Sequence, residues 1–140
     1  MKTLKIATVS FILSLLFTTT HAQITIKTVD NICKKDQDAL DTGDDMLGTA
    51  RKHYLRMDSV LNVAYNQLRK TLNPTEKEAL KKEQLGWLKK RDTYFKKQEN
   101  IFQHNIKTGE WGSDMYMVTY EEDADFVEAR VRELIKRFKG

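Results

Sequence analysis

The stretch Asp44–Leu72, DDMLGTARKHYLRMDSVLNVAYNQLRKTL, decides the fold because its apolar residues repeat with the period of an α-helix. One stripe has members seven residues apart, namely Leu47, Tyr54, Leu61 and Leu68. The intervening half-turns are filled by Ala50, Met57, Ala64, Tyr65 and Leu72. Asp44 or Asp45 has the carboxylate that suits a helix N-cap. This stretch therefore predicts a long amphipathic helix that ends before Pro74.

A second helix is predicted immediately after the first. Asn73 can cap it, Pro74 takes the first helical position, and Glu76 completes a capping box. Its apolar stripe again repeats every seven residues, at Leu80, Trp87, Tyr94 and Ile101. The opposite face is basic and carries Lys82, Lys89, Lys90, Lys96 and Lys97. The helix is expected to end near His104 or Asn105.

A third helix follows the loop 108–113, with Ser113 or Asp114 as its cap. Its apolar residues alternate spacings of four and three, at Tyr120, Ala124, Val127, Val131, Leu134 and Phe138. Three long amphipathic helices with short connections predict an all-α fold, an antiparallel bundle over residues 44–140.

The N-terminal residues 1–22 have the pattern of a cleaved signal peptide. A basic start with Lys2 and Lys5 precedes an apolar run, and the segment ends in small residues at Ala22. The run is shorter than the ~20 residues that span a bilayer. We therefore expect an exported, periplasmic or extracellular protein with no membrane insertion after cleavage. Removal of both lysines lowers the formal net charge from +4 to +2, which argues against nucleic acid as a partner.

Residues 23–43 are predicted to be weakly ordered. Positions 23–29 alternate apolar and polar residues, a pattern compatible with one short strand or an extended segment. The aspartates of 36–45 lack the ligand spacing of a calcium loop. Cys33 is the only cysteine, so it forms no internal disulfide. It is either a free thiol near a mobile N-terminus or half of an intermolecular bridge.

Residues that would carry catalysis or bind a metal are not grouped in the sequence. His53 and His104 lie on different predicted helices and have no metal-ligand companions at a suitable spacing. No nucleophile elbow or phosphate-binding glycine loop is present in the sequence. We therefore expect neither an enzyme nor a cofactor or metal site.

Polar residues inside the apolar stripes form a paired motif. The first helix reads Asp58-x-x-Leu-Asn62-x-x-Tyr65, and the second reads Gln84-x-x-Trp87-x-x-x-Arg91-Asp92. With Arg130-x-x-x-Leu134 this pattern resembles the lysozyme inhibitor LprI-like family over about residues 44–138. The family commonly has cysteines where this chain has Thr49 and Phe95, so the family's disulfide framework is missing here.

The motif residues are interpreted chiefly as a structural polar network, and a partner-binding face is the alternative. In antiparallel helices Arg91 would reach Asp58, and Gln84 would meet Tyr65 or Asn62. If Asp58 is buried, replacing Arg91 by Met should cost about 3–5 kcal/mol.

The resemblance implies a protein-binding module that blocks a lysozyme without catalysis. The residues expected to contact the partner are those of the loop, Glu110, Trp111, Gly112 and Ser113. A structural or scaffold protein of the cell envelope, bound to peptidoglycan or another exported protein, is the competing hypothesis. The oligomeric state is left open.

Overall fold

A computed structural model describes residues 23–138 and shows four helices. They are α1 (Ile26–Leu40), α2 (Met46–Lys70), α3 (Pro74–Thr108) and α4 (Met115–Lys136), and no strand occurs within residues 23–138. The all-α prediction is confirmed, but the predicted number of three helices is wrong. The proposed signal peptide, 1–22, lies outside the described residues.

Helix α1 replaces the weakly ordered or extended segment that the sequence predicted. Thr25 caps it in a capping box with Thr28. Val29 is fully buried, and Ile24 docks on α2 through a 2.9 Å hydrogen bond from its backbone N–H to Gln67 Oε1. The alternation at 23–29 was misinterpreted, because Val29 belongs to a helical face that continues to Leu40 and Ile24 lies just before that helix.

The helix termini follow local rules that the sequence makes visible. Asp45 caps α2 and accepts a hydrogen bond from Gly48 N–H at 3.1 Å. A Cβ at position 48 would overlap the Asp45 carboxylate, so a larger residue there would displace this capping side chain. Asn73 and Glu76 form the predicted capping box at the start of α3. Helix α3 continues to Thr108, beyond the predicted end, and Gly109 closes it at φ 78°.

The core is formed mainly between α2 and α4, the helix pair with the most extensive contact. Small and β-branched side chains at this interface let the two backbones approach closely, and they are fully buried: Ala50, Ala64, Ala124, Val127 and Val131. Helix α3 packs through larger side chains, including the buried Leu80 and Phe102. Leu47 was predicted to join the apolar stripe but is 46% exposed, because it lies in the first turn of α2.

Side-chain contacts define how the helices are paired. Between α2 and α3, Asp58 meets Arg91 and Tyr54 meets Phe95. These contacts join the middle of α2 to the middle of α3. Within residues 23–138, no helix has the length and apolarity needed to cross a bilayer.

Candidate functional site

A groove between α2 and α3 gathers most of the paired motif. Its volume is about 290 Å³, and five motif residues line it: Asp58, Asn62, Tyr65, Gln84 and Arg91. Leu61, Leu85 and Leu88 supply apolar walls. The two remaining motif residues lie elsewhere, since Trp87 packs against Phe126 and Asp92 is exposed. The groove therefore has apolar walls and also carries charged and amide groups.

Arg91 is the charged centre of this groove. Its Nη1 lies 3.4 Å from Asp58 Oδ1, and its Nε and Nη2 donate to Asp92 Oδ1 at 3.0 and 2.8 Å. The guanidinium also lies 5.8 Å from the Trp87 ring centroid. Because the Asp58 side chain is 39% exposed, its charge remains partly hydrated. The pair that Arg91 forms with Asp58 is therefore half-buried, and it is not a fully desolvated ion pair.

Gln84 faces a different partner from the one predicted. Its Oε1 accepts hydrogen bonds from Nε and Nη2 of Arg130 at 3.1 and 3.0 Å. The expected contact of Gln84 with Tyr65 or Asn62 is wrong, because the amide points to α4. Asn62 instead donates to the backbone oxygen of Asp58 on its own helix, at 3.1 Å.

Arg130 is the buried basic residue of the network, with a side chain only 3% exposed. Glu83 and Glu133 each lie 2.8 Å from its guanidinium, and Arg137 also binds Glu83. Burial works to raise the pKa of Glu83, but the two arginines outweigh it and hold that pKa below the ordinary value. The sequence signal for Arg130 was its place inside the apolar seam of α4, beside Val131.

The loop between α3 and α4 is held by aromatic packing and backbone hydrogen bonds. Trp111 is half-buried, and the centroid of its ring lies 6.1 Å from that of Phe102. Its backbone N–H donates to the backbone carbonyl oxygen of Asn105 at 3.2 Å. The predicted loop neighbours Glu110, Gly112 and Ser113 are exposed. The Tyr116 ring packs against the Phe102 ring in a tilted arrangement, with the centroids 4.4 Å apart, and Tyr116 is 43% exposed. Sequence reasoning missed Tyr116.

The two predicted parts of the site are not brought together. Arg91 and the end of α3 at Thr108 are separated by about 25 Å along the helix axis. The loop therefore forms an end surface, whereas the groove lies along the side of the bundle. A single small ligand cannot contact both.

A partly buried carboxyl group lies on α4 outside both regions. Burial, reinforced by the charges of Glu122 and Glu99, raises the pKa of Asp123 to about 6. Its Oδ1 is the buried side-chain atom that lacks a hydrogen-bond partner within the described part of the chain. Through this group, the stability of the domain is expected to depend on pH.

A second cavity of about 290 Å³ lies where α1, α2 and α4 meet. Cys33, His53 and Glu128 line it, and one ligand atom of each lies within 4.8 Å of the others. Cys33 is half-buried and lies within α1, and so it does not lie in an extended segment. Burial, and a hydrogen bond and charge from Glu128, raise the pKa of Cys33 to about 12.

Fold and side-chain geometry together define the class of protein. It is an all-helical domain in which polar side chains join the helices, and aromatic residues pack beside the loop between α3 and α4. The chain belongs to the lysozyme inhibitor LprI family, whose sequence model matches residues 33–134. The match begins within α1 and ends within α4. Neither the curated proteins nor the solved structures contain a match to this chain. The family's description is that of a lysozyme inhibitor.

Proposed function

We propose that the protein is exported and that it binds a lysozyme, blocking its cleft without catalysis. Membership of the lysozyme inhibitor LprI family supports this function, and the N-terminal sequence 1–22 supports export. The paired contacts of α2 with α3 favour an antiparallel bundle as the scaffold that presents the binding surface.

The end surface of the bundle is the part of the domain best suited to the contact. Trp111 and Tyr116 pack on the buried Phe102, so an aromatic loop is held in place before binding. Preorganised aromatic side chains at the centre of an interface contribute most of its affinity. This supported aromatic pair, framed by Glu110 and Ser113, is the observation that carries the proposal.

Electrostatics favours short-range over long-range recognition. Animal lysozymes are strongly basic, and a chain of charge +2 gains nothing from steering. The Asp-rich segment 36–45 offers less negative charge than its composition suggests, because Asp36 is buried against His53 and Arg56. Complementary shape and the Ser113 hydroxyl, facing the two carboxylates of a glycosidase cleft, fit this charge balance.

The binding surface is tested with paired charge reversals. Glu110→Arg places a positive charge on the loop, and Glu78→Arg makes the same change on an exposed position near the other end of α3. If the loop contacts the lysozyme, only Glu110→Arg should change the affinity in a calorimetric titration. Equal affinities for the two variants and the unaltered chain would exclude the loop as the contact.

The envelope-scaffold alternative predicts a different result. Such a protein would bind peptidoglycan or another exported protein and leave the rate of lysozyme digestion unchanged. Co-sedimentation with purified peptidoglycan, in the absence of lysozyme, tests it directly. Binding to peptidoglycan without inhibition would favour the scaffold function.

A further inference from the structure

We propose that Cys33, His53 and Glu128 form a binding site for a divalent transition metal ion of the zinc type. No function described above uses these residues. They come from three helices, α1, α2 and α4, and are 20 and 75 residues apart in the chain. Their meeting in one cavity is therefore a product of the fold.

The spacing of the three ligand atoms suits a tetrahedral ion. Zinc binds thiolate sulfur at about 2.3 Å and carboxylate oxygen at about 2.0 Å, which places the two atoms about 3.5 Å apart. Cys33 Sγ lies 3.2 Å from Glu128 Oε2. All three ligand atoms lie within 4.8 Å of one another, so small side-chain rotations would bring them to the spacing of a tetrahedral site.

His53 is oriented as a metal ligand by a neighbouring carboxylate. Its Nδ1 lies 2.8 Å from Asp36 Oδ2, and Asp36 is itself held by Arg56. Because an ionised carboxylate only accepts hydrogen bonds, Nδ1 carries the proton and Nε2 keeps the lone pair for an ion. A histidine bonded in this way to a carboxylate is the common arrangement around protein-bound zinc.

Glu128 is held in a similar manner. Its Oε1 accepts from Arg132 Nε at 2.7 Å, while Oε2 faces the Cys33 thiol. Arg132 is in turn paired with Asp30 at 2.7 Å. Two of the three ligands are thus fixed by their neighbours before an ion arrives.

The cavity lining carries an excess of negative charge. Neither lysine nor arginine is among the lining residues. Four carboxylates line the cavity, those of Asp36, Glu121, Asp125 and Glu128. Arg56 and Arg132 neutralise part of this charge from outside the lining. Thiolate and imidazole favour zinc or cobalt over calcium and magnesium, which prefer oxygen ligands alone. Binding releases the thiol proton to solvent, and the cavity leaves a fourth position for water.

Cobalt titration tests the proposal through the thiolate. The full chain is expressed for export, purified without an affinity tag, reduced, and titrated with Co²⁺ and then Zn²⁺. We expect one Co²⁺ per chain, with thiolate-to-cobalt absorption in the near ultraviolet that Zn²⁺ abolishes. Cys33→Ser should remove this absorption, and His53→Gln or Glu128→Gln should weaken binding at least tenfold. Asp36→Asn should weaken it about tenfold or more.

The matched control is His104→Gln, an exposed histidine on α3 that should leave the titration unchanged. Circular dichroism of each variant establishes that it is folded. If the other variants unfold, the result for Cys33→Ser, which is the smallest change, decides the test. Weak Co²⁺ binding without a thiolate band would overturn the proposal. So would a Cys33→Ser variant that binds as tightly as the unaltered chain.

Discussion

Gln84 Oε1 accepts two hydrogen bonds from the guanidinium of Arg130, at 3.1 and 3.0 Å, across the interface of α3 and α4. Both side chains are buried, so each satisfies a polar group that water cannot reach. The planar guanidinium also reaches Glu83 and Glu133 at the bundle surface. This arrangement fixes the position of α3 along α4 more specifically than apolar contacts would.

Replacing Arg130 by Met should lower the free energy of unfolding by about 1–3 kcal/mol, because the buried Gln84 oxygen loses its donors. Urea denaturation measures the change. Arg51→Met, at an exposed position of α2, is the control, since Arg and Met have similar helix propensities. Gln84→Leu combined with Arg130→Met should cost less than the two changes added together. Strict additivity would show that the pair is not coupled.

Replacing Arg91 by Met should cost about 1 kcal/mol or less, well below the loss expected for a buried pair. Asp58 stays hydrated when Arg91 is removed, because its side chain is 39% exposed and the contact is 3.4 Å long. Thermal melts of both arginine variants at one pH provide the comparison. A larger loss of stability for Arg91→Met than for Arg130→Met would show that the polar contacts between α2 and α3 stabilise the domain more than those between α3 and α4.

Asp123→Asn should stabilise the domain at pH 7.5 by about 1 kcal/mol. The raised pKa of Asp123, about 6, means that the folded state binds its proton more tightly than the unfolded state. The ionised Asp123 carboxylate therefore lowers the free energy of unfolding as pH rises through 6, and this destabilisation is absent below about 4. Because the Asp123 side chain is partly exposed, the expected gain in stability is smaller than the free energy that corresponds to its full pKa shift.

Melting temperatures between pH 4 and 7.5 measure this contribution. The gain of Asp123→Asn over the unaltered chain should shrink towards zero at pH 4. Glu78→Gln, an exposed carboxyl on α3, is the control. A gain independent of pH would indicate that Asp123 titrates normally in the folded state.

Helix α1 should protect its amides from hydrogen exchange as part of the folded domain. Val29 is fully buried between α1 and the core, so the amides after Thr28 should exchange far more slowly than in an unfolded peptide. Val29→Asp should abolish that protection by burying an unpaired carboxylate, whereas Lys35→Asp, at an exposed site, should not. Fast exchange across α1 in the unaltered chain would restore the weakly ordered interpretation.

Several parts of the fold that local chemistry determines were predicted from the sequence. The caps at Asp45 and Asn73 depend on residues within one turn, and the apolar seam of α4 depends on a single period. Helix α1 was missed because a few apolar residues near its start fit two periods equally well. Its buried Asp36 makes sense only with partners from α2, His53 and Arg56.

The sites depended on contacts between distant residues, which spacing cannot reveal. Gln84 and Arg130 are 46 residues apart, and Cys33 and Glu128 are 95 apart. The Arg91 to Asp58 contact was expected because neighbouring helices limit the choice of partners. Tyr116 was missed because its role depends on how the loop turns back onto Phe102.

Inhibition of a c-type lysozyme tests the central proposal most directly. The initial rate of cell-wall lysis is measured against increasing concentrations of the purified protein, with Glu110→Arg and Glu78→Arg alongside. The rate should fall at micromolar protein or below, and the concentration required should change for Glu110→Arg but not for Glu78→Arg. An unchanged rate of lysis at all concentrations, with protein shown by circular dichroism to be helical, would contradict the proposed function.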